Sequence, residues 1–366
     1  MQVIPFFGVD RQYQNLREEI LDITDKVYST GKVLDGEYTK EFELRIARRC
    51  NRNYAVAVNS GTQALIFAQQ STIKQPPYTV LIPTLSFAAT LNSVLMNGFT
   101  PVFCDVDYKG LIDLESYEYK LDHSVGALMY ANLFGNCVDY DKFRIHTEFF
   151  NNNLIVIEDA AQSFGAFYKN IPSGKMGDVS VLSFDPTKNL NNYGSGGMIL
   201  TDDSEVYQMC LSLRDNGKSI HDIAGTNSKM SEADCAQMLV KLNHFDSWQQ
   251  RRSNIADYYI DQLYQYCDIL VPNKDVTHAW SKFVLRTSNR NSLMHHLSSA
   301  GIETKIHYST ALYDLGVGFN YIDYSRDFYA ETSAFTQESV SLPIYPELSD
   351  SEVEVITESI KQYIKY

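Results

Sequence analysis

The chain reads as an α/β protein, with a large, mostly parallel sheet domain covered by helices and a smaller C-terminal α+β domain. Three observations predict this. Short apolar runs of strand length alternate with helical stretches from residue 54 to residue 201. The runs are apolar almost throughout, as strands buried on both faces must be. The 366 residues also exceed ordinary single-domain size, so a second, smaller unit is expected.

The elements follow in order. Leu16, Ile20, Ile23 and Val27 recur at helical spacing until Gly31 stops the pattern, which predicts an N-terminal helix. Strand-like runs come next: YAVAV (54–58), TVLI (79–82), PVFCDV (101–106), VGALMYAN (125–132), LIVIED (154–159), VSVLSF (179–184) and GMILT (197–201). Helices are expected after Thr62, after Ser86 and near 139–150. A long amphipathic stretch from Glu232 to Leu263 leads out of the sheet domain. Beyond it lie the strand-like SKFVLR (281–286), a helix near 291–300, the segments GIETKIHY (301–308) and SLPIYPEL (341–348), and a last helix from Asp350. Pro343 and Pro346 mark an ordered extended segment before that helix. The expected domains are residues 1–245 and 246–366.

Bulk properties narrow the function. A net charge of −14 opposes general binding to nucleic acid, so any anionic ligand must be held by a local site. The six cysteines, Cys50, Cys104, Cys137, Cys210, Cys235 and Cys267, lie far apart without a CxxC pair, which suggests neither a metal site nor a disulfide framework and fits a reducing cytoplasm. The start MQVIPFFGVDRQYQN lacks a basic and apolar leader, and no apolar run is long enough to span a bilayer.

In a sheet of this kind ligands sit beyond the carboxyl ends of the strands. After YAVAV comes Asn59-Ser60-Gly61-Thr62, a small hydroxyl-bearing turn at a helix start, suited to a phosphate and equally to a plain helix cap. After LIVIE comes Asp159, a carboxylate that needs a cationic or hydrogen-bonding partner if it is buried; a cap or a salt bridge is the ordinary explanation. After VSVL come Ser183 and, five residues on, Lys188. A lone lysine in a polar loop is usually solvated, but a lysine with a lowered pKa can form a Schiff base. Phe87 in PTLSFAAT also follows a strand, with core packing as its ordinary role. Together the set offers a phosphate cradle, an anion for a pyridine nitrogen, an aromatic for a ring face and an amine for an aldehyde. These are the requirements of pyridoxal 5'-phosphate.

The motifs VNSGTQAL, PTLSFAATLNSV, PVFCDVD, IEDAAQSFGA, SFDPTKNL, GGMILT, LRDNG, GTNSKMSE, GIETKIHY and SLPIYPEL resemble, in order along nearly the whole chain, those of the DegT/DnrJ/EryC1/StrS family of sugar aminotransferases. The resemblance implies the fold type I architecture of aspartate aminotransferase and a homodimer with shared active sites. It further implies a pyridoxal phosphate enzyme, passing through pyridoxamine phosphate, that aminates nucleotide-linked keto-sugars with L-glutamate in deoxyaminosugar biosynthesis, including that of lipopolysaccharide O-antigens. By the same resemblance Lys188 is the Schiff-base lysine and acid–base residue, and Asp159 the partner of the pyridinium nitrogen. Gln162 lies beside the ring and Phe87 stacks on it. Ser60, Gly61, Thr62 and Ser183 hold the phosphate, joined by Asn227 from the neighbouring subunit. His307, Tyr308 and Lys229 belong to the substrate side, and no metal is implied.

Several positions depart from the family pattern: the loop KQPPY (74–78) stands where many relatives have a glycine- and acid-containing turn, Asn191 and Ser195 stand near Lys188 where a glycine and an acid are frequent, and Lys229 stands where arginine is common. The opening VIPFFGVDRQY and the NSKM…VKL pattern (227–242) resemble members that aminate C3 more than those that aminate C4. dTDP is the expected carrier, with UDP and GDP as alternatives. Two competing readings are a sugar dehydratase of the same fold and a non-catalytic binding protein. The dehydratases carry histidine where this chain has Lys188, and decay to a binding protein would not preserve the whole cofactor set.

Overall fold

The computed structural model describes residues 3–76, 78–121, 124–150, 154–218, 220, 223–322 and 328–365. Its centre is a seven-stranded sheet of β1 (Tyr54–Val58), β2 (Thr79–Pro83), β3 (Thr100–Cys104), β4 (Ala127–Ala131), β5 (Ile155–Asp159), β6 (Val179–Ser183) and β7 (Gly197–Thr201). The order across the sheet is β1-β7-β6-β5-β4-β2-β3. β7 is antiparallel to both its neighbours, and the remaining pairs are parallel. β7 therefore runs against the other six, whose carboxyl ends all open on one edge.

The strands are apolar throughout because helices cover both faces. Val56 and Val58 of β1 and Val179 and Val181 of β6 face the helices Gly61–Thr72 and Ser204–Arg214, packing on Leu65, Phe67, Cys210 and Leu213. The alternate residues Ala55, Ala57 and Leu182 pack on Phe42 and Ile46 of the helix Glu37–Arg49 and on Met238 and Leu242 of the helix Glu232–Leu263.

The 32-residue helix Glu232–Leu263, capped by the Ser231 hydroxyl accepting from Asp234 N, joins two cores. Phe245 belongs to the core of the large sheet, whereas Ile255, Tyr259 and Leu263 lie in a second core. The expected division at 245/246 thus falls inside one continuous helix. The second core is built on a small antiparallel sheet of β8 (Asp268–Ile269), β9 (Phe283–Arg286) and β10 (Ser339–Leu342), with the helices Arg290–Ser299 and Asp350–Lys365 against it. Ile4 is buried in this second core, tied in by Ile4 N to Gly301 O (2.9 Å) and Glu303 N to Ile4 O (3.1 Å). The segment around Ile4 therefore packs on the C-terminal unit ahead of the helix Val9–Thr30, which ends at Gly31 with φ +69°.

Among the described residues four helices escape the sequence reading: Glu37–Arg49, Leu114–Lys120, Ser204–Arg214 and Ala330–Glu338, although Asp113 and Asp203 cap the second and third locally. The first is capped from elsewhere in the chain. Its start has no side-chain cap of its own, and the buried carboxylate of Glu232 accepts instead from the N–H groups of Gly36, Tyr38 and Thr39. No helix among the described residues is long and apolar enough to cross a membrane, and all six cysteines are unpaired thiols.

Candidate active site

At the carboxyl edge of the sheet a cavity of about 330 Å³ opens between the two units. Ser60, Gly61, Thr62, Phe87, Asp159, Gln162, Ser183, Lys188, His307 and Tyr308 line it, so ten of the twelve residues singled out in the sequence meet in one place. Asn227 and Lys229 do not. Asn227 is exposed and pairs by backbone with Asp215, and Lys229 is held in ion pairs with Asp215 (2.7 Å) and Asp35 (3.3 Å).

One end of the cavity is a helix N-terminus. Ser60 caps the helix Gly61–Thr72 by accepting from Gln63 N (3.1 Å), so the cap foreseen in the sequence is real. It also leaves the N–H groups of Gly61 and Thr62 without an intrahelical acceptor, at the positive end of the helix dipole. The turn is pressed onto the ends of β6 and β7. A Cβ on Gly61 would come within 2.8 Å of Ser183 Cβ, and one on Gly197 within 2.4 Å of Ser60 O. Only glycine permits this approach, which brings the Ser183 hydroxyl beside the free N–H groups.

At the end of β5, Asp159 is 8% exposed and accepts from Ala161 N (3.0 Å). Burial raises its pKa, opposed by the Ala161 N–H, Lys188 and the Thr90 hydroxyl. A cation placed against it would reverse that shift. The neighbouring Glu158 is fully buried and anchors the strand end. It accepts from Asn132 Nδ2 (2.9 Å), the hydroxyls of Ser173 and Ser180 (2.9 and 2.7 Å), and the N–H groups of Gly174 and Met176.

Lys188 follows β6 on a turn closed by Lys188 N to Asp185 O (2.9 Å). Burial lowers its pKa against the opposing pull of Asp159 and Asp185, which favours the neutral amine that Schiff-base chemistry needs. Phe87 is 56% exposed while lining the cavity, its ring 6.1 Å from that of Tyr308. It is not the core residue that a phenylalanine usually is. Gln162 bridges the units, accepting from Phe134 N (3.0 Å) and donating to the Tyr308 hydroxyl (2.7 Å). His307 Nδ1 lies 2.9 Å from Ser341 Oγ. Burial, with Lys282, Lys188 and Lys305 nearby, pushes its pKa down to about 2, so the ring is neutral.

The departures near Lys188 mostly serve the loop itself. Asn191 O accepts from Lys241 Nζ (2.8 Å), which also sits 3.3 Å from the centre of the Tyr193 ring. Asn192 donates to Ser195 O (2.9 Å) and Asp234 Oδ1 (3.0 Å), and of this segment only Ser195 lines the cavity. Sequence reasoning missed Asp185 and Lys282, both on the cavity wall. The signal for Lys282 was present: a lysine directly before the apolar FVL of the strand-like SKFVLR run.

The residues present fit pyridoxal phosphate. The glycine-tight N–H cradle with two flanking hydroxyls suits its phosphate, the buried Asp159 lacks the cation that a ring nitrogen supplies, and the amine of Lys188 opens on the same cavity. Fold and site together define a pyridoxal-phosphate-dependent transferase. The chain belongs to the DegT/DnrJ/EryC1/StrS aminotransferase family, whose pattern it matches over residues 14–361, and it is a sugar aminotransferase. It is 30% identical to the dTDP-3-amino-3,4,6-trideoxy-alpha-D-glucose transaminase of Streptomyces venezuelae, over 98% of this chain and 96% of that one. The crystal structure of S. venezuelae DesV in complex with a ketimine intermediate superimposes with a TM-score of 0.95 at 29% identity, covering both chains fully. The Bacillus subtilis structure of NtdA with bound cofactor PMP superimposes with a TM-score of 0.91 at 26% identity, over all of this chain and 86% of that one.

Proposed function

We propose that this enzyme moves the amino group of L-glutamate to the keto carbon of a nucleotide-linked 6-deoxysugar, a dTDP-linked 3-keto sugar before a 4-keto sugar on dTDP, UDP or GDP. The observation that carries it is the convergence of Lys188, Asp159 and the Ser60–Thr62 turn on one cavity at the strand ends.

Bound there, the cofactor supplies an electron sink for the carbon that gains or loses a proton. The Gly61 and Thr62 N–H groups with the Ser60 and Ser183 hydroxyls hold its phosphate. Asp159 would keep a proton on the ring nitrogen, Phe87 would stack on the ring, and Gln162, held by Phe134 N and Tyr308, would lie beside it. Lys188 Nζ takes the proton from the donor's α-carbon and returns one to the sugar carbon, a task suited to an amine held below its ordinary pKa. Tyr308 and His307 face the substrate from the second unit.

Asn227, exposed and away from its own cavity, serves the phosphate of a second copy, so the working form is a homodimer. The unpaired thiols and acidic surface fit an enzyme of the cytoplasm. The sugar is identified by incubating enzyme and glutamate with nucleotide-linked 3-keto and 4-keto sugars and locating the new amine by NMR. Lys188→Ala should lose both turnover and the visible band of the lysine-linked cofactor. A wild-type protein that neither binds pyridoxal phosphate nor changes spectrum with glutamate would sink the assignment.

A further inference from the structure

The transamination above leaves Asp185 and Lys282 of the cavity without a task, and of the two only Lys282 is not engaged by a charge-neutralising or side-chain partner in its own loop. Lys282 enters from the second unit, one residue before β9, and is 4% exposed. Its ammonium donates to Thr187 O (3.2 Å) and Ser281 O (3.0 Å), which leaves one of its three N–H donors. Thr187 directly precedes Lys188, so Lys282 stands one peptide unit from the residue that moves the proton. Among the described residues no carboxylate lies within ion-pair distance of it. Asp185, the cavity acid of this loop, is engaged by the N–H and hydroxyl of Thr187 (2.9 and 2.6 Å).

The surroundings add positive charge. Lys282 and Lys305 both approach the Phe7 ring, at 5.3 and 4.8 Å from its centre, and the neutral His307 lies on the same wall. Burying an ammonium without a counter-charge is costly, so a wall of this composition suits an anion that arrives with the substrate. Burial first, then Lys188, Arg252 and Lys305, hold Lys282 well below its ordinary pKa, a shift that such an anion reverses.

We propose that Lys282 binds the α-carboxylate of the amino donor. This inference rests on Lys188 being the acid–base residue. The α-carboxylate is bonded to the carbon whose proton Lys188 takes, so it must lie next to that lysine, and Lys282 is the cation placed there. The phosphates of a nucleotide-linked sugar hang instead on the anomeric oxygen, away from the aminated carbon.

The test uses the holoenzyme. Lys282→Met raises the L-glutamate concentration that half-converts the visible band by roughly tenfold to hundredfold, the range for losing a charged hydrogen bond. It leaves KM for the keto-sugar unchanged and abolishes the rise in Tm that glutarate gives the wild type. Lys282→Arg recovers most of both. Should the methionine variant fail to load cofactor, Lys282→Gln supplies the same comparison. An unchanged glutamate dependence overturns the proposal, as does a rise confined to KM for the keto-sugar, which would place the sugar's phosphate on Lys282. Neither the glutamate titration nor the glutarate shift needs a keto-sugar, so a wrong sugar assignment leaves both readings intact. A wild type that ignores glutamate sinks the function, and the glutarate shift then still reports on Lys282.

Discussion

At the scale of single residues, the close approach of the Ser60–Thr62 turn to β6 and β7 depends on glycine. A Cβ on Gly197 would sit 2.4 Å from Ser60 O and 2.7 Å from Gly61 N, both backbone atoms that cannot swing away. At Gly194 the nearest atom would be 3.6 Å off, on the Asn192 side chain. Gly197→Ala is therefore expected to cost roughly 1–3 kcal/mol by overpacking and to loosen the phosphate turn, whereas Gly194→Ala should be silent. Urea midpoints and the cofactor retained after gel filtration check both. The candidate site residues were legible because the chemistry proposed for them demands particular residue types: an amine, an acid, an aromatic and a hydroxyl-rich turn, each just past an apolar run. Lys282 was less legible because its role depends on the absence of any carboxylate near it in space.

At the scale of elements, the first and last helices are joined by Arg11 and Glu352, which form a two-pronged pair at 2.8 and 2.7 Å. Glu352 also closes the start of the last helix, accepting from Ser349 N (2.9 Å) while Glu352 N donates to Ser349 Oγ (3.3 Å), a capping box. The Arg11 guanidinium first, and then the Ser349 donors against the counter-pull of burial, bring the Glu352 pKa from 4.5 down to about 2. Because the folded-state value is the lower one, the unfolded chain binds more protons between those limits. The stabilisation is whole above about pH 4.5 and lost as pH falls toward 2. The stability difference between wild type and Arg11→Met should accordingly be present at neutral pH and shrink through that window, as urea titrations at stepped pH can show. The helix Glu37–Arg49 was not legible for a related reason. Its cap comes from Glu232, nearly two hundred residues away, and no local pattern records it.

At the scale of the whole molecule, the long helix Glu232–Leu263 carries the chain from one core to the other, and Ile4 packs in the second core, so the two units are connected at two places. The exposed Asn227 leads to a prediction about assembly. If it serves a second copy, Lys188→Ala and Asn227→Ala proteins, each inactive or weak alone, should complement when unfolded and refolded together. Random pairing then restores about a quarter of the wild-type sites. Mixtures no more active than the sum of the separate variants would place Asn227 outside the partner's site.

The sequence by itself determined the class of fold and pointed to the candidate site groups. Apolar runs at strand length require two covered faces, and an amine, an acid and a small hydroxyl-bearing turn at successive strand ends require a shared edge. Only the tertiary structure decided which of those groups meet. It put Ser183 against Gly61, bared Phe87 to the cavity, brought Tyr308 onto Gln162, kept Asn227 and Lys229 away, and set Lys282 beside Lys188. The physical reason is that residue type and periodicity are local properties of the chain. Close approach and charge balance arise only where segments far apart in sequence are packed together.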